Sequence, residues 1–294
     1  MNKDEPAYIA ALAAEQELIS KHPEWAQAYE LLGQILGFLK EMGAPTGFTS
    51  GAACASVFNH HSGLSRLNPL EFGLIPERYF GAGPFFPILL DGLSYGRALD
   101  FLKMKNITRE QLLKLDISIR HDPRLDYLIA SDLLVNLARL NELVKRHPKL
   151  QGTDIDSFLK WCDNLAAESS PEILDFWTEK AFKSGFLELA EQLPQLRPDN
   201  YYQLMIYQEE WMLLVKDLLQ ISMTEANQLR RQVGKRLSGA TGDFESRMTK
   251  ALVTGHGFPV DKAVRVSVML AEVTAYLGCK AGWVGEGYIQ LLTA

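Results

Sequence analysis

A mainly α-helical fold carrying one small sheet is predicted by three observations. Apolar residues recur at three- and four-residue spacing through most of the chain, paired capping residues mark helix starts, and one segment rich in glycine, proline and aromatics departs from the helical period. Ile9, Leu12, Ala13 and Leu18 give the first amphipathic helix, and Leu32, Ile35, Leu36 and Leu39 give the second, which Gly43 closes. Ala44 to Ala52 then brings proline, glycine, threonine and serine together, a composition that breaks helices and bares backbone amides before a helix starting near Ala52. Phe72 to Gly92 lacks a helical period, and Phe85 to Leu90 is its short strand. Thr108 with Gln111, and Ser222 with Glu225, have the spacing at which a side chain and a backbone amide satisfy each other at a helix start. Pro148 to Asp154, Ser169 to Pro171 and Leu193 to Asn200 read as loops, which places a lobe boundary between residues 150 and 200.

The chain of 294 residues, 47% hydrophobic and 22% charged, has enough apolar material for one large or two modest domains. No run of eighteen or more apolar residues occurs, and Met1 to Pro6 is polar and acidic, so neither a membrane span nor a secretory signal is expected. Cys54, Cys162 and Cys279 are odd in number and widely separated, which suits a reducing cytoplasm better than a disulfide framework or a zinc site. A formal net charge of −6 excludes a protein that coats nucleic acid over its whole surface. A local basic stretch does exist: Arg230, Arg231, Lys235, Arg236, Arg247 and Lys250 stand against Asp243 and Glu245, either as a binding face or as an ordinary solvated helix.

Few short motifs carry chemistry. The loop from Pro45 to Ser56 includes Gly47, Ser50, Gly51 and Ala52 and runs into a helix, an arrangement whose free amides suit a phosphate. It lacks the lysine and spacing of a P-loop, so an ordinary turn between helices is the competing reading. His60 and His61 are adjacent and point apart, which prevents them from chelating one metal as an i, i+4 pair could. Asp154 and Asp156 follow Gly152-Thr153 and fit a helix cap. No GxSxG elbow or local cysteine signature supports nucleophilic hydrolysis.

Several blocks, in order, resemble the bacterial C-family replicative DNA polymerase, the alpha subunit of polymerase III. Tyr8 to Ile19 and Ile35 to Pro45 are similar to the helical lead-in of its palm. Gly51-Ala52-Ala53-Cys54-Ala55-Ser56-Val57 and the run from Gly63 to Phe80, with Asn68-Pro69-Leu70 and Glu77-Arg78-Tyr79-Phe80, resemble its glycine-serine motif and the block ending in a glutamate-arginine-phenylalanine triplet. Gly92-Leu93-Ser94 and Leu115 to Leu128 resemble palm segments that follow. Arg197 to Asn200, Ile206-Tyr207-Gln208-Glu209-Glu210 and Glu225 to Arg236 look like the fingers, and Leu277-Gly278-Cys279-Lys280 with Gly287-Tyr288 like their glycine-rich end. The resemblance implies a degenerate palm-like lobe of α/β nucleotidyltransferase type over residues 1–150 and a helical, bundle-like fingers lobe over 151–294.

Departures from the family decide the expected activity. The family follows its triplet with a proline and alternating aspartates on one strand, whereas this chain has Phe80-Gly81-Ala82-Gly83-Pro84-Phe85-Phe86-Pro87-Ile88-Leu89-Leu90. Transfer by two metals needs carboxylates holding cations about 3.5–4 Å apart, and apolar side chains cannot supply them. Asp91 is the nearest substitute, on the same strand face as Leu89 if the strand continues. Ser50 stands where the family has an arginine, and Ala52 where it has the serine that helps hold the triphosphate. Stretches between Phe80 and Asp91 and between Asn200 and Ile206 are short against the family, and Ala294 precedes its clamp-binding and single-strand-binding regions.

A polymerase-like protein without catalysis, metal or cofactor is therefore expected, binding a replisome subunit or DNA through Arg230, Arg231, Lys235, Arg236 and Lys280 and so modulating replication. Two alternatives are a minimal Mg2+-dependent nucleotidyltransferase using Asp91 with Asp116 or Asp122, and a purely structural interaction module.

Overall fold

The computed structural model describes residues 5–43, 48–81, 83–126, 155–177, 179, 191, 204–237 and 239–293. The chain divides into two compact units: Met1–Leu159 with Ala281–Ala294, and Lys160–Lys280.

In the first unit, α1 (Pro6–Ser20) and α2 (Pro23–Glu41) each open on a proline, whose fixed φ suits the first helical position and whose missing N–H would have had no partner there. Gly43, at φ 62°, ends α2 in the left-handed conformation that glycine reaches without strain. The sheet has the order β1-β2-β3: β1 (Phe48–Thr49) runs antiparallel to β2 (Phe86–Leu90), and β2 runs parallel to β3 (Ile117–His121). A 3-10 turn (Gly51–Ala55), α3 (Val57–His61) and α4 (Glu77–Phe80) connect β1 to β2; α5 (Gly92–Met104) and α6 (Arg109–Lys114) connect β2 to β3.

Along β2, Phe86, Ile88 and Leu90 are buried at 3%, 2% and 1% exposure, the period-2 signature of a strand with one face in a core. They join Leu32, Ile35 and Leu39 of α2 and Ala98, Phe101 and Leu102 of α5 in one apolar cluster. Tyr29 sits edge-on to Phe58 and Phe86, with ring centroids 4.6 and 4.8 Å away. Phe85, expected in the strand, lies outside it and is 46% exposed. The helix expected from Ala52 begins instead at Val57, because Ser56 is its cap and accepts the Asn59 amide at 3.1 Å.

α7 (Ile155–Ser169) carries the boundary between the units, and Asp156 lies in its first turn; Asp154 is outside the described residues. The second unit continues through α8 (Pro171–Phe176), α9 (Gln208–Leu219), α10 (Met223–Gly234), α11 (Ala240–His256) and α12 (Val260–Val273). Its centre is Trp211, fully buried, whose indole N–H donates to the Leu270 carbonyl at 2.8 Å while the ring lies 5.3 Å from Phe244. Both expected capping boxes form: Thr108 with Gln111 starts α6, and Ser222 with Glu225 starts α10. α13 (Lys280–Thr293) ends the described chain. Among the described residues no helix is long and apolar enough to cross a membrane. Pro148 to Asp154 and Leu193 to Asn200 lie outside the described residues.

Candidate functional site

Parallel β2 and β3 end side by side, Leu90 opposite His121, with the Asp122 amide donating to the Leu90 carbonyl at 2.9 Å. The carboxyl ends of parallel strands are where open α/β sheets bind ligands, so the residues just beyond them form the first candidate site. Asp91 does not extend the face of β2. It leaves the strand and becomes the N-cap of α5, accepting the Ser94 amide at 3.0 Å and the Ser94 hydroxyl, and is 8% exposed. Asp122 lies next to this corner and is also 8% exposed. Asp116 precedes β3 at φ 54°, at the opposite end of the strand, so of the two partners expected for Asp91 the fold brings only Asp122 near.

The acids at these strand ends are engaged within the chain. Arg124 donates from Nη2 to Asp122 Oδ2 at 2.7 Å and from Nε to Oδ1 at 3.0 Å, and its Nη1 reaches Glu286 Oε1 at 2.5 Å. Hydrogen bonding from Arg124 holds the Asp122 carboxyl below the usual carboxylate range, against the opposing effect of burial. Asp126 accepts the Gly92 amide at 2.6 Å and pairs with His121 Nε2 at 2.8 Å, and the imidazole stacks on Tyr95. A Cβ at position 92 would lie 3.4 Å from both Asp126 Oδ1 and His121 Nε2, an ordinary van der Waals contact with the ends of two side chains. Among the described residues no three His, Cys, Asp or Glu side chains are grouped as metal ligands.

The glycine loop shows the same internal pairing with the charges exchanged. Gly47 is outside the described residues; Ser50 precedes the 3-10 turn, Gly51 begins it at φ 65°, and Ala52 lies within it. The first turn of α3, which in an anion-binding loop would face a phosphate, faces Glu15. Its carboxylate accepts the Ser56 hydroxyl at 2.6 Å, the Val57 amide at 3.0 Å and the Phe58 amide at 2.8 Å. Glu15 is 5% exposed, and burial raises its pKa even though the three hydrogen bonds pull the other way. His60 is drawn into the same corner through a 2.9 Å hydrogen bond with the Tyr8 hydroxyl, whose pKa is pushed up to about 12 by burial and then by the Glu15 charge. His61, by contrast, is exposed.

In the second unit the two blocks resembling fingers sequences meet. Gln208 donates from its amide to the Gly278 carbonyl at 2.8 Å and from Nε2 to the Leu277 carbonyl at 2.8 Å. Glu209, 3% exposed, accepts the Lys280 amide at 3.0 Å, and Glu210 accepts the amides of Ile206 and Tyr207, each at 2.8 Å. Thus Lys280 opens α13 with its backbone anchored by a buried carboxylate. On α10, Ala226, Leu229 and Val233 face the core. Arg231 and Lys235 stand one turn apart, which puts them on a common face. Arg230 reaches back to Asn227 Oδ1 at 3.0 Å, and Arg236 turns out of the helix at φ 50°. The basic stretch is split, since Arg247 of α11 lies near Glu225 at the other end of α10 and pairs with Asp243.

Sequence reasoning singled out Asp91, Asp122, the glycine loop and the basic helix, but missed Glu15, Arg124, Asp126 and Glu286. Asp122-Pro123-Arg124 held a local hint, an acid and a base two positions apart. Nothing local could signal Glu15 or Glu286, whose partners are 41 and 162 residues away.

Residues 187–254 match the family model of the bacterial DNA polymerase III alpha subunit finger domain. The chain is similar to DNA polymerase III subunit alpha of Aquifex aeolicus (strain VF5), with 22% identity over 214 residues, covering 67% of this chain and 18% of that protein. It therefore spans less than a fifth of that relative's length. The matched finger segment contains Arg230, Arg231, Lys235 and Arg236 and stops short of Lys280. These two matches relate the chain to the finger region of polymerase III alpha.

Proposed function

We propose that this protein is a catalytically inactive relative of polymerase III alpha that binds DNA or another replication component and so modulates DNA replication, its first unit being a residual palm. The observation that carries this reading is the pairing at the ends of β2 and β3. Two-metal phosphoryl transfer requires carboxylates free to share cations. Here Asp91 caps α5, Asp126 holds Gly92 and His121, and the positive charge beside Asp122 and Glu286 is the guanidinium of Arg124. Binding then falls to the helical unit, where the finger match covers the basic end of α10.

DNA contact through Arg230, Arg231, Lys235, Arg236 and Lys280 is electrostatic on this reading, releasing counterions from phosphates without reading bases. Gly47, Ser50, Gly51 and Ala52 are secondary phosphate contacts at most, because Glu15 already places an anion on the neighbouring amides. Fluorescence anisotropy of a labelled primed duplex over a salt series tests the proposal. Arg231→Glu with Lys235→Glu is expected to weaken binding at least ten-fold and, because two cations no longer neutralise phosphates, to lower the salt slope by about 1.8. Unchanged affinity and slope would remove the DNA arm. Failure of the wild type to bind either DNA or purified polymerase subunits would remove the proposal.

A further inference from the structure

β3 is an edge strand of the sheet, and its outer side carries no paired strand among the described residues. The Phe86 amide bonds to the Asp116 carbonyl, and the Asp122 amide to Leu90. With the parallel register of Phe86 to Ile117 and Leu90 to His121, this assigns the backbone groups of Ser118 and Arg120 to β2. The N–H and C=O groups of Ile117, Ile119 and His121 consequently point away from β2, and among the described residues no strand pairs with that side.

Next to this edge lies a groove of about 820 Å³ bounded by α5, α6 and β3, all within the first unit. Its lining includes Phe85, Leu99 and Leu113, which are 46%, 45% and 62% exposed. Lys103, Arg109 and Arg120 surround it against a single carboxylate, Asp116. An open strand edge fixes the backbone conformation of an occupant, the apolar wall fixes its alternate side chains, and the cations fix its charge.

We infer that this edge and groove take up an extended segment of a partner protein as an added parallel or antiparallel strand, with apolar and acidic residues alternating. A second copy pairing β3 to β3 is the wrong occupant, because Arg120 of the two copies would be opposite or diagonal neighbours on one face with no acid between them, and like charges across strands destabilise the pair. The inference stands apart from the DNA-binding proposal, which rests on residues of the other unit.

The test is selection of a random heptapeptide display library against the full chain, followed by anisotropy with the enriched peptides synthesised and labelled. We expect enrichment of sequences alternating valine, isoleucine or leucine with aspartate or glutamate. Binding should weaken at least ten-fold in Lys103→Glu with Arg120→Glu, and equally in Ile119→Pro, which deletes an N–H on the open side only. N-methylation of alternate peptide amides should abolish it. Ile119→Pro is checked for folding by thermal melting, and the charge-reversed variant stands as an independent arm on the surface. Enrichment of nothing, enrichment without the acidic and apolar alternation, binding indifferent to both variants, or capture of single-stranded oligonucleotide in place of any peptide would each overturn the inference.

Discussion

Removing the Glu15 carboxylate should loosen the corner between α1 and α3 by an amount the geometry sets. Three donors converge on it, at 2.6, 3.0 and 2.8 Å, in a side chain only 5% exposed. A hydrogen bond to a charged group contributes about 1.5–3 kcal/mol, so three give an upper figure of roughly 4.5–9 kcal/mol. Deleting the group also relieves the cost of burying its charge, and water can reach the freed Phe58 amide, which is only partly buried. We therefore expect Glu15→Ala to cost about 2–4 kcal/mol, and Glu15→Gln, which keeps an acceptor oxygen, about half as much. Urea unfolding monitored by tryptophan fluorescence measures both.

The pH dependence gives an independent sign. Burial raises the folded pKa of Glu15 above its ordinary value of 4.5. Between that value and the folded pKa the native state binds the extra proton, so stability falls as pH rises through this window. Glu15→Gln should lack that component. A Glu15→Gln protein as stable as the wild type at neutral pH, with the same slope above pH 4.5, would refute the reasoning.

Two further outcomes follow from the same kind of argument. Arg124→Met leaves Asp122 and Glu286 without their shared cation; because the guanidinium is 42% exposed and screened, the loss should be about 1–2 kcal/mol, read from urea midpoints. Since Asp122 is held below its usual 3.8, the wild-type contribution is present above that pH and lost as pH falls below it, and Arg124→Met should flatten that acid limb. Trp211→Phe removes the indole donor from the Leu270 carbonyl and opens space beside Phe244; a loss of at least about 1–3 kcal/mol in thermal or urea unfolding is expected.

Helix boundaries were legible where the signal is local. Thr108 with Gln111, Ser222 with Glu225, and Gly43 after α2 each act within a few residues, and each does what its spacing implied. The short strand was legible as an apolar run without helical period, but the face it buries was not, because Phe86-Pro87-Ile88-Leu89-Leu90 is apolar at every position. β1, only two residues long, carries too few positions to show a period, and β3 is Ile117-Ser118-Ile119-Arg120-His121, in which only Ile117 is buried. The site was less legible still. Asp91 looked like a surviving strand acid, yet its neighbour Gly92 begins a helix, and an aspartate before a helix start is a cap. The cation beside Asp122 and the anion beside Val57 come from Arg124 and Glu15, and no window of sequence short enough to show a motif contains both sides of the Glu15 or Glu286 contact.

The most direct measurement is primer extension by the purified chain on a primed template with magnesium or manganese, at protein concentrations where anisotropy shows the template bound. We expect no extended product with either ion. Nucleotide addition by the wild type that disappears in Asp91→Ala would contradict the proposal that this chain binds without catalysing transfer.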